Sequence, residues 1–338
     1  MRKKIFLAFI ISIAVIFFAV AVGSVFISPY HTFFVVLNKL FAIKLPQGIS
    51  AVAVPIIWEL RLPRVLLAFL VGAALAVSGT VTQSVLKNPL ASPFTLGVSS
   101  GASLGAAIIM ISGFTLPLIG GFTLPFVGLV FGLATVFASV MLASRMDKNM
   151  ESNTIILAGM VFSLFVNAIL TLLSGLSKDN MTRITQWTMG SFAMKGWPYV
   201  EMMFPILILG FLGVMFFSRE LDILTFGEEQ AKALGVDTKR VKWLLLGLTA
   251  ALTGAAVAFA GVIGFIDLIA PHVVRRFFGS QHRYVLPMSA LFGGVFMVIA
   301  DLVARTIISP SELPIGAVTA IIGAPFFAYV YFKREKKV

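Results

Sequence analysis

Cysteine is absent from the 338-residue sequence, which excludes a disulfide framework and any thiolate metal site. Histidine is scarce, with three residues spread along the chain, and neither an H-E-x-x-H motif nor a G-x-x-x-x-G-K-[ST] phosphate loop is present. The sequence therefore predicts no metal site in this chain and no phosphate loop of its own for ATP.

Charge is also scarce. Asp, Glu, Lys and Arg make up 12% of the chain, about half the share of an ordinary soluble domain, and the mean hydropathy is +1.01. These values predict a membrane protein that crosses the bilayer several times. The net charge of +12 does not indicate nucleic acid, because basic residues gather at cytoplasmic membrane edges.

Long apolar runs predict an all-α integral membrane protein with about ten transmembrane helices in a single domain, residues 1–338. The first run is longer than a signal-peptide core, so we expect it to be retained as a span. The predicted spans are residues 5–27, 65–83, 93–112, 122–143, 154–174, 199–217, 243–262, 263–278, 284–305 and 314–332.

Basic residues predict the orientation of these spans. An even number of spans puts both termini on one side, and both termini are rich in Lys and Arg. Most of the other basic residues fall in segments that this arrangement also makes cytoplasmic. We therefore expect a multi-pass protein of the cell membrane, with both termini in the cytoplasm.

One polar segment, residues 218–242, interrupts the apolar sequence and must lie outside the hydrocarbon. Thr225 and Glu228 have the spacing of a capping box, which predicts a short helix that ends at Gly235. Ala231 and Leu234 would give this helix an apolar face for docking against another protein. The alternative is a solvated connector between two spans.

Two stretches of small residues resemble each other, at residues 72–79 and 254–261, and a proline follows each, at Pro89 and Pro271. They fall in the second and seventh spans, which cross in opposite directions. This arrangement predicts an inverted internal repeat, an architecture common in transporters. The alternative is chance, because small residues are frequent in packed membrane helices.

Two other chemistries are weighed and set aside. Residues 97–101 fit the G-x-S-x-G pattern of hydrolases around Ser99, but they lie in a predicted span without suitable Asp and His partners. Asp267, near an external helix end, and Asp301 are candidate proton relays of an ion-coupled carrier. Asp301 stands four residues before Arg305, so we expect an ion pair there instead.

Three arginines, Arg61, Arg64 and Arg305, fall at the external ends of predicted spans. One interpretation is interfacial snorkelling. The other is a basic docking site for the carboxylates of a partner, since guanidinium groups bind carboxylates in a bidentate manner.

Several ordered blocks along nearly the whole chain resemble the FecCD-type permease family, the membrane subunits of ABC importers for iron-siderophores, haem and vitamin B12. The blocks are RLPR at 61–64, GAALAVSG at 72–79, QSVLKNPLASPFTLGVSSGASLG at 83–105, GEEQAKALGV at 227–236, GVIGFIDLIAPHVVRR at 261–276, HRYVLP at 282–287, ADLVAR at 300–305 and ELPIGAVTAIIGAPFF at 312–327. Asp267 departs from the family pattern, in which we expect a small or apolar residue.

The resemblance implies a permease dimer, formed by two copies or with a paralogue, together with two cytoplasmic ATPase subunits and an external substrate-binding protein. It also implies roles for particular residues. Arg61, Arg64 and Arg305 would meet acidic residues of the binding protein, and Ser152 and Asn153 would form the cytoplasmic gate. The residues implied to couple to the ATPase are Gly227, Glu228, Glu229, Ala231, Leu234 and Gly235.

The expected function is therefore an alternating-access import permease for a metal chelate, with a ferric siderophore favoured and haem or cobalamin as alternatives. We expect no bond-making chemistry and no cofactor in this chain, because ATP and Mg²⁺ would bind to the partner ATPase. Membrane lipid would surround the chain, and no nucleic acid partner is expected. An ion-coupled secondary carrier is the competing class.

Overall fold

The computed structural model describes residues 2–23, 27–46, 48–50 and 52–335, and within those residues all regular structure is helical. The α-helices are α1 (Arg2–Ala21), α2 (Pro29–Phe41), α3 (Ala53–Pro55), α4 (Leu62–Val85), α5 (Val98–Ser112), α6 (Thr123–Met146), α7 (Ser152–Leu176), α8 (Lys178–Thr188), α9 (Trp197–Phe216), α10 (Ser218–Leu224), α11 (Glu228–Ala233), α12 (Thr238–Ala260), α13 (Ile266–Phe278), α14 (His282–Thr306) and α15 (Ile315–Glu335). A π-helical turn, Ile56–Arg61, joins α3 to α4, and 3₁₀ turns cover Pro93–Leu96 and Gly120–Phe122.

Each of the ten predicted spans corresponds to one helix. In the described part of the chain, seven helical stretches are long and apolar enough to cross a membrane: Lys3–Ala21, Ala53–Val85, Gly120–Met146, Ser152–Leu176, Trp197–Phe216, Thr238–Ala260 and His282–Thr306. The remaining three spans are α5, α13 and the apolar part of α15. The prediction of about ten transmembrane helices is confirmed, and α5 and α13 begin later than predicted.

Several span boundaries differ from the prediction. The first helix ends at Ala21 rather than at Ile27, and residues 24–26 lie outside the described residues. The eighth span begins at Ile266 rather than at 263, because Gly261 and Phe265 adopt left-handed backbone conformations that interrupt the helix. Lys336 and Lys337 of the basic C-terminus also lie outside the described residues.

The centre of the fold is formed by α4 and α12, the helices that carry the two similar stretches. In their apolar windows, 89% of the residues of the α4 stretch and 72% of those of α12 are buried, against 22% for α7. Helix α4 packs along α13 and α14, while α12 packs along α5 and α6. The two stretches thus occupy equivalent positions in the two halves, as an inverted repeat requires.

Glycine explains how closely these helices approach. Gly72 of α4 lies against the backbone of Gly293 in α14, and Gly79 lies against the backbone of Asp267 in α13. A β-carbon at either position would overlap backbone atoms rather than a movable side chain. Small residues therefore set the spacing of the central helices, and dispersion contacts between the helices replace a hydrophobic driving force in lipid.

Five short α-helices of the described residues lie outside the predicted spans, namely α2, α3, α8, α10 and α11. Helix α2 follows α1, α8 follows α7, and α10 opens the polar segment. Following the predicted orientation, we call the side of the bundle where α1 terminates and α4 begins the external end. The opposite side, where α4 terminates and α12 begins, is the cytoplasmic end. Helices α2 and α8 lie at the external end and α10 at the cytoplasmic end.

Candidate functional sites at the two ends of the bundle

The external end contains a cleft of about 600 Å³ that brings the three predicted arginines together. Arg61 and Arg64 enter it from the start of α4, and Arg305 enters from the last turn of α14. Glu59, Lys195 and Glu312 are the other charged residues that line it. Residues far apart in the sequence therefore form one charged site.

Arg61 and Arg305 point into the protein and not into the cleft opening. Arg61 Nη1 donates to the carbonyl of Ala21 at 2.8 Å and to that of Val20 at 3.3 Å. Arg305 Nη2 donates to the carbonyl of Ala19. The last carbonyls of α1 have no partner within their helix and carry its negative dipole end, so two guanidinium groups stabilise this end.

Arg64 is held by two carboxylates. Its Nη2 lies 2.8 Å from Asp301 Oδ1, and its Nη1 lies 2.6 Å from Glu312 Oε1. Asp301 Oδ2 also lies 3.5 Å from Arg305 Nε, so the predicted ion pair between Asp301 and Arg305 is confirmed, with Arg64 as a closer second partner. Any external carboxylate that bound Arg64 would have to compete with these two.

Lys195 is a cation at this cleft that the sequence analysis missed. Its ammonium lies 4.4 Å from the centre of the Tyr199 ring, a cation–π contact. Burial lowers the pKa of Lys195 below its ordinary value. The sequence could have indicated Lys195, because it is a basic residue just before the external start of α9.

At the cytoplasmic end, α11 contains three of the six residues implied to couple to an ATPase, and the other three flank it. The predicted capping box is wrong: Gly227 occupies the N-cap position, and the Thr225 hydroxyl donates instead to the carbonyl of Asp222 at 2.6 Å. Gly227 has a φ of 136°, which a residue with a side chain rarely adopts. The predicted end is confirmed, since Gly235 follows the helix with a φ of 83°.

The predicted apolar face of this helix is divided. Ala231 is fully buried and packs within the chain, whereas Leu234 is 67% exposed. Phe226, just before the helix, is 76% exposed. The exposed apolar surface is therefore formed by Phe226 and Leu234 and not by Ala231 and Leu234, because Ala231 faces the bundle.

Ser152 and Asn153 open α7, as the sequence predicted. They line a cleft of about 530 Å³ together with Lys87, Glu228 and Glu229. The residues implied to form the gate and those implied to couple to the ATPase thus share one cleft. Lys242, at the end of the polar segment 218–242, is fully buried beside this cleft.

A polar network joins four helices below this cleft. The Nδ1 atom of His282 lies 2.6 Å from Asp222 Oδ1, and its Nε2 atom lies 2.7 Å from the Ser84 hydroxyl, which also accepts from Arg275 at 2.9 Å. Ser84, His282 and Asp222 are hydrogen-bonded in series, as in a catalytic triad. However, Ser84 is buried within α4, and its hydroxyl donates to the carbonyl of Thr80. The network fixes helix ends; it does not expose a nucleophile.

Ser99 would be the nucleophile if the chain were a hydrolase. It lies in the first turn of α5 and not in the strand–turn–helix that the G-x-S-x-G motif requires. Among the described residues, no group of three His, Asp or Glu side chains could hold a metal ion.

Asp267 lies elsewhere than expected. It was predicted near an external helix end, but it is buried inside the bundle against Gly79, in the cytoplasmic half of α4. The difference arises because α13 begins well inside the bundle. The Ser92 hydroxyl donates to Asp267 Oδ2, and Ser92 also caps the 3₁₀ turn before α5. The unexpected carboxylate therefore joins the starts of two interrupted helices.

The fold and these two polar clusters define a membrane-spanning transport subunit. The family model described as the FecCD transport family matches residues 10–333, and the chain belongs to this family. It is a permease subunit of an ABC transporter, a transport component and not an enzyme.

Individual relatives agree with this assignment. The chain is 43% identical over 83% of its length to an uncharacterised ABC transporter permease, YvrB of Bacillus subtilis, and the match covers 80% of that protein. It is 39% identical over 87% of its length to the cobalamin import system permease BtuC of Halobacterium salinarum, covering 78% of that protein. A solved inward-facing structure assigned to the metal-chelate type of ABC transporter superposes with a TM-score of 0.84 and 32% identity over 98% of this chain and 100% of the other.

Proposed function

We propose that this chain is the permease of an ATP-driven importer that carries a ferric siderophore across the cell membrane by alternating access. The observation that carries the proposal is the shared cytoplasmic cleft, in which Ser152 and Asn153 at the start of α7 lie beside Glu228 of α11. A movement imposed on α11 from the cytoplasm would reach the start of a spanning helix directly across this cleft.

The proposed assembly contains a second permease subunit, two cytoplasmic ATPase subunits that bind ATP and Mg²⁺, and an external substrate-binding protein. In it, α11 and its flanking residues Gly227 and Gly235 sit in a cleft of the ATPase. The exposed Phe226 and Leu234 support this role, because bare aromatic and aliphatic side chains beside charges are typical of a docking surface.

At the external end, the binding protein docks over the charged cleft. Arg61 and Arg305 hold the end of α1 in place, and Arg64 is shared with Asp301 and Glu312. We therefore assign direct contact with the carboxylates of the binding protein to Arg64 and Lys195, and a supporting role to Arg61 and Arg305. Both termini lie in the cytoplasm in this arrangement.

The substrate is a bulky chelate and not a bare metal ion. The scarcity of groups that could ligate a metal within the described residues supports this choice. Relatives named for the transport of cobalamin, hemin and ferric citrate support the chelate class and leave haem and cobalamin as alternatives to the siderophore.

The test is uptake in a strain that lacks this chain, compared with the same strain after complementation. Radiolabelled ferric siderophores, haem and cobalamin are supplied in parallel. The proposal predicts that only ferric siderophore uptake is lost and then restored. Loss of haem or cobalamin uptake alone would transfer the function to that chelate.

A further inference from the structure

Lys242 is a cation without solvent contact, in the first turns of α12 at the cytoplasmic end, and its side chain is 0% exposed. A charge removed from water is tolerated only where hydrogen bonds and an opposite charge compensate it. Its partners therefore indicate what the side chain is for.

Those partners belong to two other segments of the cytoplasmic end. Lys242 Nζ donates to the carbonyl of Met150 at 2.6 Å and to Glu228 Oε1 at 2.5 Å. Glu228 is the first residue of α11, and Met150 stands two residues before Ser152, where α7 begins. One ammonium group thus connects α11 to the segment that leads into α7.

The segment around Met150 is ordered enough to transmit a displacement. Asp147 accepts hydrogen bonds from the backbone N–H of Glu151 at 2.6 Å and of Asn149 at 2.9 Å, and these bonds lower the pKa of Asp147. Met150 is fully buried with a φ of 52°. The carbonyl that receives Lys242 is therefore fixed in direction by the turn and by packing.

Glu228 has a second cation nearby. Lys87, just beyond the end of α4, lies 3.9 Å from the same Oε1 atom and is partly exposed. Lys87 can neutralise Glu228, but it is not within hydrogen-bond distance of the carboxylate. Among the hydrogen bonds of the described residues, those of Lys242 join Glu228 to Met150 directly.

We propose that Lys242 is a positioning residue of the transport cycle, which transmits displacement of α11 through the Met150 carbonyl to Ser152 and Asn153 at the start of α7. This inference rests on the proposed function, in which α11 receives the ATPase movement and the start of α7 is the gate. A lysine suits the task, because one ammonium group has three donors on a flexible stem and can hold a carbonyl and a carboxylate together.

The experiment uses the complete transporter, with ATPase and binding protein, in proteoliposomes. The natural chain has no cysteine, so Glu151→Cys provides a single reporter on the exposed residue between Met150 and Ser152. Its maleimide labelling rate is measured with and without ATP. Lys242→Met removes both hydrogen bonds at similar side-chain length, and Lys239→Met makes the same change at an exposed position of the same helix.

We expect Lys242→Met to retain the ATPase subunits and hydrolyse ATP within about twofold of the parent rate, while uptake falls at least tenfold. The labelling rate of the reporter thiol should no longer respond to ATP. Lys239→Met should match the parent in every measurement. Uptake and labelling equal to the parent in Lys242→Met would overturn the proposal.

A second variant protects against a folding defect in the first. Glu228→Ala removes the hydrogen bond between Lys242 and Glu228, whose side chain is partly exposed, and leaves the hydrogen bond from Lys242 to Met150. It should also separate ATP hydrolysis from uptake. Normal coupling in Glu228→Ala would overturn the proposal even if Lys242→Met failed to fold.

Failure of the proposed function has a different signature. If the parent complex itself shows no ATP-dependent uptake, the importer assignment is wrong. The local connection is then judged by hydrogen–deuterium exchange of residues 147–153, which should be faster in Lys242→Met than in Lys239→Met. Equal exchange in the two variants would reject the connection itself.

Discussion

Arg64 and Asp301 form a bidentate ion pair between the first turn of α4 and the last two turns of α14: Arg64 Nη2 lies 2.8 Å from Oδ1, and Arg64 Nε lies 3.2 Å from Oδ2. Asp301 is fully buried and also faces Arg305. One carboxylate therefore organises two guanidinium groups, and Arg305 in turn holds the end of α1. The external end of the bundle is built around this pair.

Asp301→Asn should destabilise the protein by about 3 kcal/mol or more, because it leaves two buried guanidinium groups with less compensation. A fall of several degrees in the apparent Tm of the detergent-purified protein measures the effect. Glu312→Gln, at the more exposed partner of Arg64, should have a smaller effect. Equal melting of Asp301→Asn and the parent would show that the pair is not structural.

Gly79→Ala should destabilise the central helices by about 1–3 kcal/mol, because its β-carbon would overlap the backbone of Asp267. The matched control is Gly247→Ala in α12, where a β-carbon meets no atom within 4 Å. The control should melt at or slightly above the parent temperature, since alanine favours helix. Similar melting of the two variants would contradict the close approach of α4 and α13.

Gly235→Arg should abolish uptake while insertion into the membrane stays normal. Gly235 ends α11 with a φ of 83°, so a side chain there distorts the turn that presents Leu234. Gly235→Asn is the control, because asparagine tolerates the left-handed conformation, and it should retain most of the uptake. Membrane fractionation and copurification of the ATPase are measured alongside uptake. Unchanged uptake in Gly235→Arg would contradict the proposed role of α11 in coupling to the ATPase.

Lys195→Glu should weaken docking of the binding protein about tenfold or more without lowering the Tm. The reason is that the ammonium lines the cleft and, unlike Arg61 and Arg305, does not hold the end of α1. Tenfold corresponds to about 1.4 kcal/mol. Lys178→Glu makes the same charge change at the start of α8, outside the cleft, and should leave the Kd within about twofold. Reversal of Arg61, Arg64 and Arg305 to Glu should also weaken docking, but with a loss of stability that Lys195→Glu avoids.

Docking of the binding protein should also weaken at alkaline pH, because Lys195 loses its charge. Because burial lowers its pKa, the ammonium loses its charge at a pH below the ordinary lysine range. The protonated form binds carboxylates, so the affinity of the binding protein should fall as the pH rises through this lowered pKa. Lys195→Arg stays charged and should shift the loss to higher pH; identical pH profiles for the two proteins would exclude Lys195 from the contact.

The sequence predicts the ten spans well because apolar runs report directly on burial in lipid. It fails at Ile27 because hydropathy does not distinguish the end of a helix from apolar chain that follows it. Likewise, Thr225 has the right spacing for a capping box, but its hydroxyl donates to the carbonyl of Asp222 near the end of α10. Local patterns predicted element type and misjudged the ends.

Tertiary contacts explain the remaining differences. The sequence placed Arg61, Arg64 and Arg305 correctly at one end of the bundle, but burial against the carbonyls of α1 depends on how α1 packs. Asp267 was misplaced because the depth at which α13 begins is set by the irregular segment before it. The burial of Lys242 was not predicted, because a charged neighbourhood does not reveal that its ammonium donates to the carbonyl of Met150.

In the proposed function, ATP hydrolysis by a partner drives import of a ferric siderophore through this permease. The most direct measurement is accumulation of iron-labelled siderophore in cells that carry or lack the chain, after either ATP depletion or collapse of the ion gradients. We expect uptake that requires the chain, disappears on ATP depletion and persists without ion gradients. Uptake that survives ATP depletion and disappears with the gradients would contradict it.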